Sequence, residues 1–205
     1  MARILTMLVA GLMLVGTVSL GASAFTAASV DRDATVDVVA DENGLLALID
    51  GNSGNLVFQD GSTEQLGIDL GNNSAGGANV NATFELGNPA DPATSNAFVI
   101  ENRDDEQHQI NVAYTGASTN GEENLNISIY DSSGARLDSV TEEGTTASFT
   151  ATADDGTPST EYYVVVTIDT GGGTGTTDLT SGSDLSGTME FTIDDVDDSA
   201  NSDGS

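Results

Sequence analysis

One histidine, thirty-three carboxylates and no cysteine are the reactive inventory of this 205-residue chain. His108 sits in the stretch ENRDDEQHQ, and nucleophilic catalysis would need it beside an activated serine. No G-x-S-x-G elbow supplies one. A zinc site usually draws on several His or Cys ligands, so a single histidine is read as a solvated loop residue. The carboxylates fall in clusters: Asp31, Asp33 and Asp37; Asp104, Asp105 and Glu106; Asp154 and Asp155; and Asp194, Asp195, Asp197 and Asp198. Hard cations favour such oxygen-rich groups, and two or three clusters meeting at one end of a sandwich would make a structural calcium site. The spacing of an EF-hand loop is absent, and a chain this acidic forms clusters by chance. The glycine-rich GGGTGTTD lacks the Gly-Lys-Ser/Thr ending that neutralises a phosphate, and it reads as a flexible loop. The expectation is a non-enzyme with no cofactor, structural calcium being the one candidate.

Three N-x-Ser/Thr sequons, at Asn72, Asn81 and Asn126, are candidate glycan acceptors. Asn81 and Asn126 fall on the polar phase of alternating segments, which would turn a glycan away from the core.

Charge narrows the partners. Against 33 acidic residues stand only Arg3, Arg32, Arg103 and Arg136, giving a formal net charge of -29. Such a chain repels nucleic acid and anionic lipid surfaces, so both are excluded as partners. Folded, lysine-free chains of this acidity resemble proteins of salt-loving archaea, where concentrated salt screens self-repulsion. Without cysteine the fold must stand on its core alone.

The N-terminus has its own pattern. One arginine precedes an uncharged apolar run, Ile4 to Leu20, and Ala22-Ser23-Ala24 follows as a small-x-small cleavage sequence. This is the layout of a secretory signal peptide cut by signal peptidase between Ala24 and Phe25, with no membrane attachment after processing. The competing reading, a retained anchor, meets the difficulty that 17 residues of helix reach about 25 Å, short of a hydrocarbon core of roughly 30 Å.

From Asp33 onward short alternating segments are separated by Gly, Asn, Asp and Pro. Thr35–Val39, Leu45–Ile49, Leu56–Gln59, Asn79–Leu86, Phe98–Asn102, Ile110–Tyr114, Leu125–Ile129, Ala147–Ala153 and Met189–Ile193 read as half-buried strands. In EYYVVVTID the continuous Val164 to Val166 marks a central strand covered on both faces. Most segments carry one aromatic ring, which suits the gap between two sheets. The expected fold is all-β: a single antiparallel β-sandwich, jelly-roll-like, of about nine to eleven strands after an N-terminal signal helix. Domain limits follow as 1–24 signal peptide, 25–40 N-terminal strand, 41–196 sandwich and 197–205 acidic tail.

The junction AFTAASVDRDATVDVVADENGLLALI resembles the start of a family of secreted haloarchaeal β-proteins. Ala24-Phe25-Thr26, Val30-Asp31-Arg32, the strand Thr35 to Val39 and the stretch Asp41 to Leu48 carry the resemblance. The layout is also similar to the TasA/camelysin group, whose strand-Asn-turn-strand hairpin is echoed by AFVIENRDDEQHQINVAYTG, with Asn102 at the turn. The resemblance covers Leu14 to Asp50 closely and Ala97 to Gly116 loosely. It implies a jelly-roll-like sandwich that assembles outside the cell, with other copies of itself, into a filament, pilus or biofilm matrix. It further implies that Phe25 to Ala40, with Phe25, Val36 and Val38 as apolar contacts, inserts into a neighbouring subunit as a donor strand. Camelysin has been labelled a metallopeptidase, but no H-E-x-x-H occurs in this chain. Pairing of the same segment within its own subunit stays open, as does a monomeric exported module binding a solute, glycan or cation at the cell surface.

Overall fold

The computed structural model describes residues 41–52, 54–70, 78–116, 124–141, 145–154, 161–171, 179–180 and 185–196. All of them belong to the compact unit Val38–Ser205. They form eleven strands: β1 Leu46–Asp50, β2 Val57–Gln59, β3 Leu66–Ile68, β4 Thr83–Leu86, β5 Phe98–Asn102 and β6 His108–Gly116, then β7 Leu125–Tyr130, β8 Arg136–Thr141, β9 Thr146–Ala151, β10 Glu161–Asp169 and β11 Gly187–Asp195. Short 3-10 turns at Asp41–Asn43 and Gly54–Leu56 are the helical elements among the described residues.

Every pairing is antiparallel. A six-stranded sheet runs β1-β5-β10-β7-β8 with β4 also paired to β10, a three-stranded sheet runs β11-β6-β9, and β2 and β3 make a ribbon. The fold is therefore an all-β sandwich, as alternation in the sequence requires. β10 is its central strand. One side pairs with β7; the other is shared, its first half with β5 and its second with β4. Both faces are covered, since Val164, Val165 and Val166 are each at most 1% exposed.

Alternation decides which side chains meet between the layers. Ile100, Ile127, Ile129, Val164 and Val166 come from the large sheet; Ile110, Val112, Ala147, Phe149 and Ala151 come from the small one. Phe149 and Tyr162 bridge the layers with ring centroids 4.8 Å apart, and Phe98 meets Phe191 edge-on at 6.4 Å.

Three segments depart from the sequence pattern. Residues 79–82 do not continue β4, because Asn81 takes a left-handed backbone (φ 51°), which a strand cannot include. β3 and β8 carry no clear alternation: Leu66-Gly67-Ile68 is too short for one, and Arg136 to Thr141 is mostly polar. Gly87 (φ 97°) bridges to Asn96, and a Cβ there would lie 2.9 Å from the Asn96 backbone, so only glycine closes this loop without strain.

Candidate functional site

A cleft of about 1470 Å³ runs beside β11, floored by Leu125, Ile127, Val166 and Ile168 and walled by Leu46, Leu48, Leu66 and Ile68. Met189, Phe191 and Ile193 of β11 form its opposite wall, and Ile193 is 45% exposed. Asp41 and Asp69 stand among the polar lining residues, and no basic side chain lines the cleft among the described residues. An anionic headgroup would find no counter-charge there. The walls mix apolar side chains with polar ones such as Gln65, Asn79 and Thr170.

The edges of the two sheets are treated unequally. On β9 and just beyond it, three outward-facing backbone groups are capped by side chains: Asp138 Oδ2 accepts from the Ser148 N–H at 2.9 Å, and the Tyr162 hydroxyl accepts from the Thr152 N–H at 2.9 Å and donates to the Thr150 carbonyl at 3.2 Å. On β1 the Gln59 amide donates to the Leu48 carbonyl at 2.7 Å. β11 is different. Its nine residues pair with β6 from Gly187–Gly116 to Asp195–His108 without a bulge, and no described strand or side chain caps its other edge. It contains no proline, lysine or register shift, the usual devices against strand addition. Tyr114 anchors its start: the hydroxyl donates to the Leu185 carbonyl at 2.7 Å, and the ring leaves room only for glycine at 187, where a Cβ would fall 2.5 Å from it.

A second cluster lies at the far end of β11. His108, expected in a solvated loop, is instead the buried first residue of β6, 8% exposed. The correction has a local cause. Asn102, 2% exposed, closes the β5–β6 turn by donating to the Glu106 and Thr152 carbonyls at 2.9 Å each and accepting from the Asp104 N–H at 3.1 Å. That turn sets Asp104 Oδ2 2.7 Å from His108 Nε2, and the hydrogen bond from His108 holds the Asp104 carboxyl below its usual range. Of the carboxylate clusters, the structure brings Asp104 and Asp195 together on His108, with the Asp154 N–H donating to the Asp104 carbonyl at 2.7 Å. Asp31, Asp33, Asp37, Asp155, Asp197 and Asp198 lie outside the described residues. Among the described residues no group of three or more His, Asp or Glu gathers around one point, so an oxygen-rich calcium cage is not formed there.

The remaining candidates divide the same way. Ala24, Phe25, Val36, Val38 and Asn72 lie outside the described residues. Asn81 is exposed, in the turn before β4 rather than on a strand. Asn126 is on β7 as expected, but half-buried. Its Oδ1 accepts from the Ser128 hydroxyl at 2.7 Å, and Ser128 is itself 7% exposed. No family model matches the chain, and no curated protein or solved structure shows significant similarity to it.

Proposed function

We propose that the chain is an exported structural subunit that polymerises with other copies of itself outside the cell, as a filament, pilus or biofilm matrix, through strand addition at β11. One observation supports this reading: among the described residues no strand or side chain meets the outer edge of the nine-residue, unbroken β11 beside a cleft, while side chains cap individual backbone groups on β9 and β1. An added strand would take up the outward backbone groups of β11 and lay its apolar side chains into the cleft, which is how sheet edges recognise extended peptides. Phe25 to Ala40 of a neighbouring subunit is the proposed donor, with Phe25, Val36 and Val38 as the buried contacts. The alternating pattern of Thr35 to Val39 and the resemblance to TasA-like subunits support that choice. A cleft of this size exceeds the roughly 300–1,000 Å³ of small-ligand sites, which favours a peptide segment over a bound solute.

The deciding experiment uses the mature protein in molar salt. Light scattering after size exclusion should show polymers that grow with concentration, and negative-stain images should show filaments. Removing Phe25 to Asp33 should leave a folded monomer. A full-length mature protein that stays monomeric at high concentration, or a truncated one that still polymerises, overturns the assignment.

A further inference from the structure

The fold treats the sequons of Asn81 and Asn126 in opposite ways. Asn126 is inside β7, a strand paired on both sides, where it stands opposite Thr167 of β10 and Thr141 of β8. Its side chain is half-buried, and its Oδ1 accepts at 2.7 Å from the hydroxyl of Ser128, the residue that completes its own sequon. Ser128 is 7% exposed. Neither the amide nor the hydroxyl can reach an enzyme without unzipping the large sheet.

Asn81 is the reverse. It occupies an exposed turn with φ 51°, a left-handed backbone that asparagine adopts more readily than most residues. Thr83, which completes this sequon, is the exposed first residue of β4. Neither the Asn81 amide nor the Thr83 hydroxyl has a hydrogen-bond partner among the described residues. The middle of the sequon is nevertheless pinned. Ala82 donates its N–H to the Thr170 hydroxyl at 2.9 Å, its carbonyl accepts the Thr170 N–H at 2.8 Å, and Thr170 is buried. One buried threonine thus holds the turn while both chemically read side chains stand in solvent.

We propose that Asn81 is a site of N-linked glycosylation and that Asn126 is not, an inference that rests on the export proposed above. The co-reactants are a saccharide carried on a lipid phosphate and an oligosaccharyltransferase on the outer side of the membrane. Asn81 Nδ2 forms a bond to the anomeric carbon of the first sugar. The bond from that carbon to the phosphate oxygen breaks, the lipid phosphate leaves with the electron pair, and one amide proton passes to a carboxylate of the enzyme. An amide nitrogen is a poor nucleophile while it is conjugated with its carbonyl, so the enzyme has to turn the group. The unbonded Asn81 side chain permits that rotation, whereas the Asn126 side chain is held by Ser128. Asn79 and Val80, immediately before the site, line the cleft, so the saccharide would stand at its rim.

The test is mass spectrometry of the protein made and exported by its own host, intact and after digestion, with fragmentation that keeps glycans attached. The expected result is a saccharide chain on Asn81 and none on Asn126. Asn81→Asp keeps a residue that tolerates the left-handed turn, and should lose one saccharide chain with the β-type circular dichroism unchanged. Thr83→Val keeps the branched shape at an exposed position and removes the hydroxyl; it should lose the same chain with Asn81 still present. A bare Asn81 in the parent protein overturns the proposal. So does a glycan on Asn81 that is undiminished in Thr83→Val, or a glycan on Asn126. The N-terminus in the same spectra reports export separately. A chain that begins after Ala24 with Asn81 bare sinks the glycan and leaves export standing; one that still begins at Met1 with Asn81 bare sinks both.

Discussion

The Tyr162 hydroxyl, from the large sheet, accepts the Thr152 amide hydrogen at 2.9 Å and so closes an edge of the small sheet. The same oxygen donates to the Thr150 carbonyl at 3.2 Å, so one core tyrosine satisfies two outward-facing backbone groups. Tyr162→Phe keeps the ring contact with Phe149 and removes only the cap. Because Thr152 itself is exposed, losing this bond should cost only the net worth of a typical hydrogen bond, about 0.5–1.5 kcal/mol. Denaturant unfolding in molar salt would measure it; an unchanged midpoint would mean that water replaces the hydroxyl.

Blocking the β11 edge, which no other described strand pairs, is the complementary change. The Ser148 N–H faces away from β6, so its partner Asn111 bonds instead to Thr192, and the amides of Met189, Phe191 and Ile193 point outward. Ile193→Pro therefore removes an outward donor without breaking the β6–β11 ladder. The expected outcome is a folded protein that no longer polymerises, by dichroism and light scattering together. Filaments formed by this variant would place the contact elsewhere.

Acid should unfold the protein through identifiable carboxylates. Asp131 is held below its usual range chiefly by the Ser133 hydroxyl and by backbone N–H groups, which it collects in the β7–β8 turn; Asp60 is depressed similarly by Ser62 and Thr63. Asp104 is lowered by His108. Groups with depressed folded values bind protons less readily when folded. Their contribution is complete above the unfolded carboxylate value near about 3.9 and is lost as pH falls below it. Stability measured from pH 6 down to pH 2 in constant salt should fall through that window, and Asp131→Asn should flatten the slope.

Salt is the fourth prediction. A net charge of -29 without a single lysine leaves carboxylate repulsion unpaired. Dialysis from molar salt to millimolar ionic strength should remove the β-type circular dichroism, and divalent cations should restore it at lower concentration. A spectrum indifferent to salt would show that the core outweighs the repulsion.

Much of the fold was legible because burial imposes period two. Phe98–Asn102 and Glu161–Asp169 have the boundaries read from sequence, and Val164 to Val166 announced the doubly covered strand. β8 was invisible because Asp138 and Ser139 spend their polarity on the edge and the backbone rather than on a solvent face. The cleft was harder still. Its lining comes from strands far apart in sequence, and nothing local in Leu66 or Met189 says that a gap lies between them. His108 looked solvated because its neighbours are acidic; Asn102, folding the turn back, sets Asp104 against the buried ring.

The shared flank of β10 dictates an order of events. β4, β5 and β7 all precede β10 in the chain, and each must wait for it, since β5 and β4 take successive halves of one side and β7 takes the other. A chain emerging N-terminus first from a ribosome or a translocation pore cannot close its large sheet until Asp169 is out. Up to that moment β5 has only β1 and β7 only β8 within that sheet, and the pairings with β10 that then form span long sequence distances, which slows folding. Late closure keeps the chain threadable while it is in transit, and commits it to a compact shape only near the end of its passage.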